Sequence, residues 1–174
     1  RIAGLRINPN NFAQSRMVTI AGMKLKDINT LQEHAIAGLP ENMRATSLQW
    51  NPSQTKIAFA NLLSSRVDLY VVDIATFTAT KINQLPLNIV SGGTFAWITD
   101  NSLLYKATVA TAVKPEKPLA PTGPVVQESL GKKAAARTYQ DLIKSGYDEA
   151  LFDYYAKSQL VFTEIPPTTT KEAP

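Results

Sequence analysis

"SLQWNPSQTKIAFA", Ser47 to Ala60, is β-prone at both ends and polar in the middle. "GTFAWITDNSLLYKA", Gly93 to Ala107, has the same outline, and Trp50 and Trp97 stand 47 residues apart. After Trp50 come Asn51, Pro52, Ser53 and Gln54, and then Lys56 to Phe59. After Trp97 come Ile98, Thr99, Asp100 and Asn101, and then Ser102 to Tyr105. Asn, Asp, Pro and Ser favour tight turns through local hydrogen bonds and restricted φ. A β-rich run ending in Trp, a polar turn and a returning β-rich run together read as a hairpin.

A hairpin that recurs at about 40–50 residues is the pattern of a β-propeller, in which each blade is a four-stranded sheet. The remainder of the first unit fits. "RVDLYVVDI", Arg66 to Ile74, supplies a third strand, "ATFT" a turn, and "ATKIN", Ala79 to Asn83, a short outer strand. That places four strands between about Thr46 and Asn83. "SRMVTIAGMKLKDI", Ser15 to Ile28, reads as strands of an earlier, less complete unit. The fold class expected is therefore all-β, a partial β-propeller of about two to three four-stranded blades. An antiparallel sandwich holding two similar hairpins is the alternative.

The pattern breaks after Thr111. "AVKPEKPLAPTGP", Ala112 to Pro124, is proline-rich. Proline cannot donate to a strand ladder and disfavours helix in the residue before it, so an extended loop is expected. "AAARTYQDLIKSGYDEALFDYYAKS", Ala134 to Ser158, then predicts a helical insertion at about 134–157. One short helix is expected near Ala135–Ser145 with Gly146 as its stop, and a second begins at Asp148 as N-cap. "SQLVFTEI", Ser158 to Ile165, returns to strand. The domain expected is 1–165, followed by a linker or frayed tail at 166–174.

Composition narrows the function classes. The 174 residues are 44% hydrophobic, enough for one domain with a core. A net charge of +4 with scattered Lys and Arg, apart from the pair Lys132 and Lys133, gives no stripe for nucleic acid. No apolar run is long enough for a helical membrane span. With no cysteine, disulfides, thiolate metal sites and thiol nucleophiles are excluded. The single histidine, His34, lies in a polar stretch and reads as solvent-exposed. No Gly-x-Ser-x-Gly elbow occurs. "SGGT", Ser91 to Thr94, lacks the spacing and lysine of a phosphate loop and reads as a turn. Asp148, Glu149 and Asp153 suit a solvated helix start. No catalytic residue, metal ligand or cofactor site is assigned in this chain. It begins at Arg1 without Met and reads as a processed or excised piece.

Several segments resemble the N-terminal half of the glutamyl endopeptidases, serine peptidases of the prolyl oligopeptidase family. They are "RIAGLRINP" at the start, "GLPEN" at Gly38–Asn42, "KIAFAN" at Lys56–Asn61, "KPLAPTGP" at Lys117–Pro124 and "ARTYQDLIKSGYDEALFDYYAKSQLVF" at Ala136–Phe162. The last is the most specific, since a helical insertion is no general propeller feature. The tail "TEIPPTTTKEAP" departs from the family pattern by lacking an Asp-Gly turn.

The resemblance implies a propeller that caps an α/β-hydrolase domain, gates the cleft and positions peptide substrates. The nucleophile, acid and histidine would lie in that other domain, absent from this chain. The partners implied are a peptide substrate, the hydrolase domain and the remaining blades. Cleavage after Glu needs a cation near the substrate carboxylate, because a buried unpaired charge is expensive. Arg137, with Tyr139 as a second donor, is the substrate-binding candidate. Its competing reading is a surface ion pair with Asp141, one helical turn on. Tyr154 and Tyr155 are expected to fix the insertion by packing. The compartment implied is the bacterial periplasm, with the chloroplast as the other option. A non-enzymatic binding module or a periplasmic scaffold with the same blade pattern are the competing functions. An isolated, open propeller leaves sheet edges unprotected, so the piece is expected either to pair with the rest of its propeller, even as a nicked chain, or to self-associate.

Overall fold

The computed structural model describes residues 1–119, 123, 131 and 142–166. Within them the chain is mostly β, with four small antiparallel sheets and one helix. β1 (Ile7–Asn8) pairs with β2 (Ala13–Gln14), and β3 (Lys24–Lys26) with β4 (Glu33–Ala35). β5 (Ala45–Trp50), β6 (Lys56–Leu62), β7 (Val67–Asp73) and β8 (Thr78–Lys81) form a four-stranded meander. β9 (Phe95–Thr99), β10 (Ser102–Ala107) and β11 (Gln159–Glu164) form a three-stranded sheet with β10 in the centre. The helix α1 (Gly146–Ala156) lies in the excursion between β10 and β11.

The meander is the middle layer. β6 is buried on both faces from Ile57 to Leu62. Side chains alternate along a strand, so one set, Ala58, Ala60 and Leu62, joins Leu69 and Val71 against Phe95, Leu103 and Tyr105 of the β9–β11 sheet. The other set, Ile57 and Phe59, joins Val72 and Ala79 against Ile36 and Met43, with Met23 and Leu25 of the β3–β4 region alongside. Phe59 is fully buried and stacks on Tyr70 at 5.4 Å. Burying a phenylalanine is worth about 2–3 kcal/mol, so this one ring is a large part of the second interface.

Local chemistry sets the turns. The β5–β6 turn closes on Asn51, whose buried Oδ1 accepts from the Thr55 and Lys56 amides at 2.8 Å each. Gln54 adopts φ +58° inside it. At the β7–β8 turn Asp73 Oδ1 accepts from the Ala75 and Thr76 amides. β8 does not end the sheet in open solvent. Ala37 donates its amide to the Phe77 carbonyl (2.8 Å) and accepts from the Ala79 amide (2.7 Å), so residues 36–38 run along that edge. Gly38 follows at φ +73°, where an added Cβ would run into the Ala79 carbonyl oxygen.

All four strands expected between Thr46 and Asn83 are present, and Ser158–Ile165 contains β11. Other expectations change. Only one sheet of the described residues has four strands, not two or three. Within Ser15–Ile28 only Lys24–Lys26 is a strand, and its partner Glu33–Ala35 lies outside that span. The helix near Ala135–Ser145 falls largely outside the described residues, and residues 142–145 are not helical. Gly146 opens α1 rather than stopping a helix, and the N-cap is Ser145, not Asp148. The Ser145 hydroxyl satisfies one of the helix's first free amides, that of Asp148, and that outweighs the weak helix-breaking of one glycine at the first position. Of the tail at 166–174, only Pro166 is described.

Candidate functional site

The two Trp-bearing hairpins touch each other at equivalent places. Ser47 Oγ and Thr94 Oγ1 share a hydrogen bond of 2.9 Å. The Trp97 indole donates to the Gln49 carbonyl at 3.3 Å. The Ser53 amide donates to Asp100 Oδ1 at 2.7 Å, and Asn51 Nδ2 reaches Asp100 at its carbonyl (3.3 Å) and Oδ1 (3.2 Å). The partners lie 47, 48, 47 and 49 residues apart. The two hairpins therefore meet along a seam in step with the sequence repeat, at the start of each first strand and at the turn that follows it. Ser47 sits in a bulge of β5 at φ +57°, which sets its hydroxyl at this seam. Leu48, Trp50 and Ile98 are exposed on these two strands.

α1 is capped locally at its N-terminus and tied at its C-terminus to Asn88, far along the chain. Ser145 Oγ accepts from the Asp148 amide and Asp148 Oδ2 from the Lys144 amide, each at 3.1 Å. At the far end Asn88 Nδ2 donates to the Tyr155 carbonyl (2.8 Å) and the Lys157 carbonyl (3.0 Å). These are among the carbonyls a helix end leaves without internal partners. Tyr155 is buried, and the rings of Tyr154 and Tyr155 lie 5.5 and 5.4 Å from Phe12 in the β1–β2 turn. The packing role expected for the two tyrosines is what the structure has.

A shallow groove of about 170 Å³ opens along β9–β11, with Ala96, Leu104, Lys106 and Leu160 among its lining residues beside Phe95 and Tyr105. The Lys106 ammonium donates to the Ser91 carbonyl. Burial among these apolar neighbours pulls its pKa below the usual lysine range. Burial likewise pushes the Tyr105 hydroxyl up, against the smaller opposing effect of hydrogen bonds at Leu85 and Gln84. Asp68 is a buried carboxylate within 2.6 Å of the Arg66 guanidinium, 3.7 Å of the Lys81 ammonium and 3.3 Å of Asn83 Nδ2. This cluster holds the β7–β8 side of the meander together.

Arg137 and Tyr139, and Asp141 with them, lie outside the described residues. His34, expected in solvent, is half-buried and stacks on Phe77 with ring centres 4.1 Å apart. The polar residues around it hid its stacking on the turn that carries Phe77. Among the described residues no group of three His, Asp or Glu side chains is placed to share a metal ion, and no helix is long and apolar enough to cross a membrane. Lys106 was not singled out in the sequence. Its one signal is a lysine at an alternate position of an otherwise apolar strand.

The groups brought together are amides, hydroxyls, aromatic rings and one ammonium, a set that holds and positions by hydrogen bonds and apolar contact. The class so defined is a mostly-β module of repeated antiparallel sheets with a docked helical excursion. The chain is 31% identical over 189 residues to the "Probable glutamyl endopeptidase, chloroplastic" of Oryza sativa subsp. japonica, covering 100% of this chain and 20% of that protein. It is 33% identical over 183 residues to the protein of the same name from Arabidopsis thaliana, covering 97% of this chain and 19% of that one. The chain thus spans about a fifth of the length of these relatives, and its origin is peptidase-related. No family model and no solved structure matches it.

Proposed function

We propose that the chain is part of a β-propeller, about two to three blades, in a serine endopeptidase of the prolyl oligopeptidase family and of glutamyl-specific type. Its work there is to gate and position peptide substrates for an α/β-hydrolase domain carried elsewhere in the complete protein. The observation that supports this most is the seam between the two Trp-bearing hairpins. Blades around an axis are related by one rotation, so a residue of an inner strand faces its own equivalent one repeat later. The Ser47–Thr94 and Ser53–Asp100 contacts, each 47 residues apart, follow that rule, and those at 48 and 49 residues lie one or two positions from it. The docked α1 fits a family-specific insertion, and the names of both relatives supply the peptidase and its specificity. Those names also favour the chloroplast, and nothing here favours the periplasm.

In this reading the hydrolase domain supplies an acyl-enzyme mechanism, with a serine activated by histidine and an oxyanion hole. Arg137 supplies the planar, two-pronged donor set that suits a glutamate carboxylate, and Tyr139 a hydroxyl beside it. The test uses the complete protein on matched peptides carrying Glu or Gln before the scissile bond. Serine-inhibitor-sensitive cleavage after Glu, with folded proteins left intact, is the expected result. Arg137→Ala then raises KM for the Glu peptide far more than for the Gln peptide. Equal loss on both removes the Arg137 assignment. A complete protein with no peptidase activity and no Gly-x-Ser-x-Gly segment leaves a binding module instead.

A further inference from the structure

The β9–β11 sheet repeats the β5–β7 part of the meander in register. Trp50 pairs with Ile57 as Trp97 pairs with Leu103, and Gln49 with Ala58 as Ala96 with Leu104. The third strands follow. Leu69 stands opposite Ala60 as Leu160 stands opposite Lys106, and Val71 opposite Ala58 as Phe162 opposite Leu104. In the meander this face is closed, with Ala58, Ala60, Leu69 and Val71 all buried against the β9–β11 sheet. In the β9–β11 sheet the same face is open, with Leu160 70% and Phe162 56% exposed. One residue breaks the apolar match: Lys106 stands where the meander has Ala60.

Resting on the propeller reading above, we propose that the outer face of β9–β11 is the docking surface of a further β-sheet of the same repeat in the complete protein, and that this sheet presents an Asp or Glu carboxylate to Lys106 Nζ. Three observations select this occupant. The equivalent face of the preceding sheet is covered by the next sheet of the repeat. The relatives are about five times as long as this chain, which leaves ample polypeptide for further sheets. The charge also fits. The Lys106 ammonium has a carbonyl partner in Ser91 but no carboxylate among the described residues, and partial burial already depresses its pKa. Covering the face strips more water from the ammonium, and an opposite charge on the covering sheet offsets that cost.

The test is hydroxyl-radical footprinting of the complete protein, read at Leu160 and Phe162 by mass spectrometry, with Val18 (93% exposed) and Leu69 (0%) as internal references. Oxidation of Leu160 and Phe162 at the Leu69 level is expected at every protein concentration. Oxidation approaching the Val18 level overturns the docking surface. Protection that disappears on dilution assigns the face to a second copy and also overturns it. The carboxylate is tested separately by melting Lys106→Arg, Lys106→Met and Lys106→Glu. Arg is expected to hold the melting temperature, Met to lower it and Glu to lower it furthest. Met and Glu alike, or Met above the parent, removes the carboxylate. A complete protein that lacks peptidase activity yet protects this face loses the peptidase reading and keeps this one.

Discussion

Gly38→Ala is the sharpest probe of how the first layer is held to the meander. Gly38 has φ +73°, and a Cβ built on it stands 2.4 Å from the Ala79 carbonyl oxygen. That oxygen belongs to β8, and Ala37 is tied to Ala79 of that strand at 2.7 Å and to Phe77 just before it at 2.8 Å. Left-handed backbone costs a non-glycine residue about 1–2 kcal/mol. Relieving the clash must move backbone, because no side chain is there to rotate away. Losing both bonds adds about 2 kcal/mol at roughly 1 kcal/mol each. The total is about 3–4 kcal/mol, or on the order of 10 °C for a domain of this size. Gly92→Ala isolates the first part. Gly92 has φ +67°, but its nearest neighbour is the flexible end of Lys106 at 3.6 Å, so a loss of about 1–2 kcal/mol is expected. Gly22 has ordinary φ and open space, and Gly22→Ala should be neutral or stabilising by up to about 1 kcal/mol. Urea unfolding followed by circular dichroism measures all three. Equal losses for Gly38→Ala and Gly92→Ala would refute the close approach to β8 and with it the edge pairing of residues 36–38.

Asn51→Ala leaves the Thr55 and Lys56 amides without their acceptor and unties Asp100, for a loss of about 2–4 kcal/mol in urea unfolding; a loss no larger than that of an exposed polar residue counts against the seam. Asn88→Ala should raise hydrogen exchange in α1 while β6 and β7 keep their protection, because α1 is anchored through that amide; uniform exchange across the chain would contradict it. The Tyr105 pKa lies above its unfolded value of 10.0, so its stabilising contribution is complete below pH 10 and falls as pH rises through the folded value. Tyr105→Phe should therefore flatten the loss of stability above pH 10, and an unchanged slope would clear Tyr105 of the effect. The 174-residue chain by itself should self-associate in light scattering through the exposed Leu160 and Phe162; a monodisperse monomer would oppose this.

The meander was legible because its signals are local. Two Trp-ended runs and the turn formers Asn51 to Gln54 mark the strands without reference to anything distant, and β11 announces itself by Leu160, Val161 and Phe162. What the sequence hid depends on partners far along the chain. β4 looks polar, and its order comes from pairing with β3 and from His34 on Phe77. Gly146 looked like a stop because its context, the Ser145 hydroxyl bonding to the Asp148 amide, is visible only in three dimensions. Lys106 carried no motif at all. Its significance arises from standing opposite Leu160 on a face whose counterpart in the meander is closed.

A structure of the complete protein tests the central claim most directly. β5 and β9 should be inner strands of successive blades around one axis, with another four-stranded sheet on the outer face of β9–β11 and a hydrolase domain over the channel. A closed two-sheet sandwich, with nothing beyond β9–β11, would contradict it.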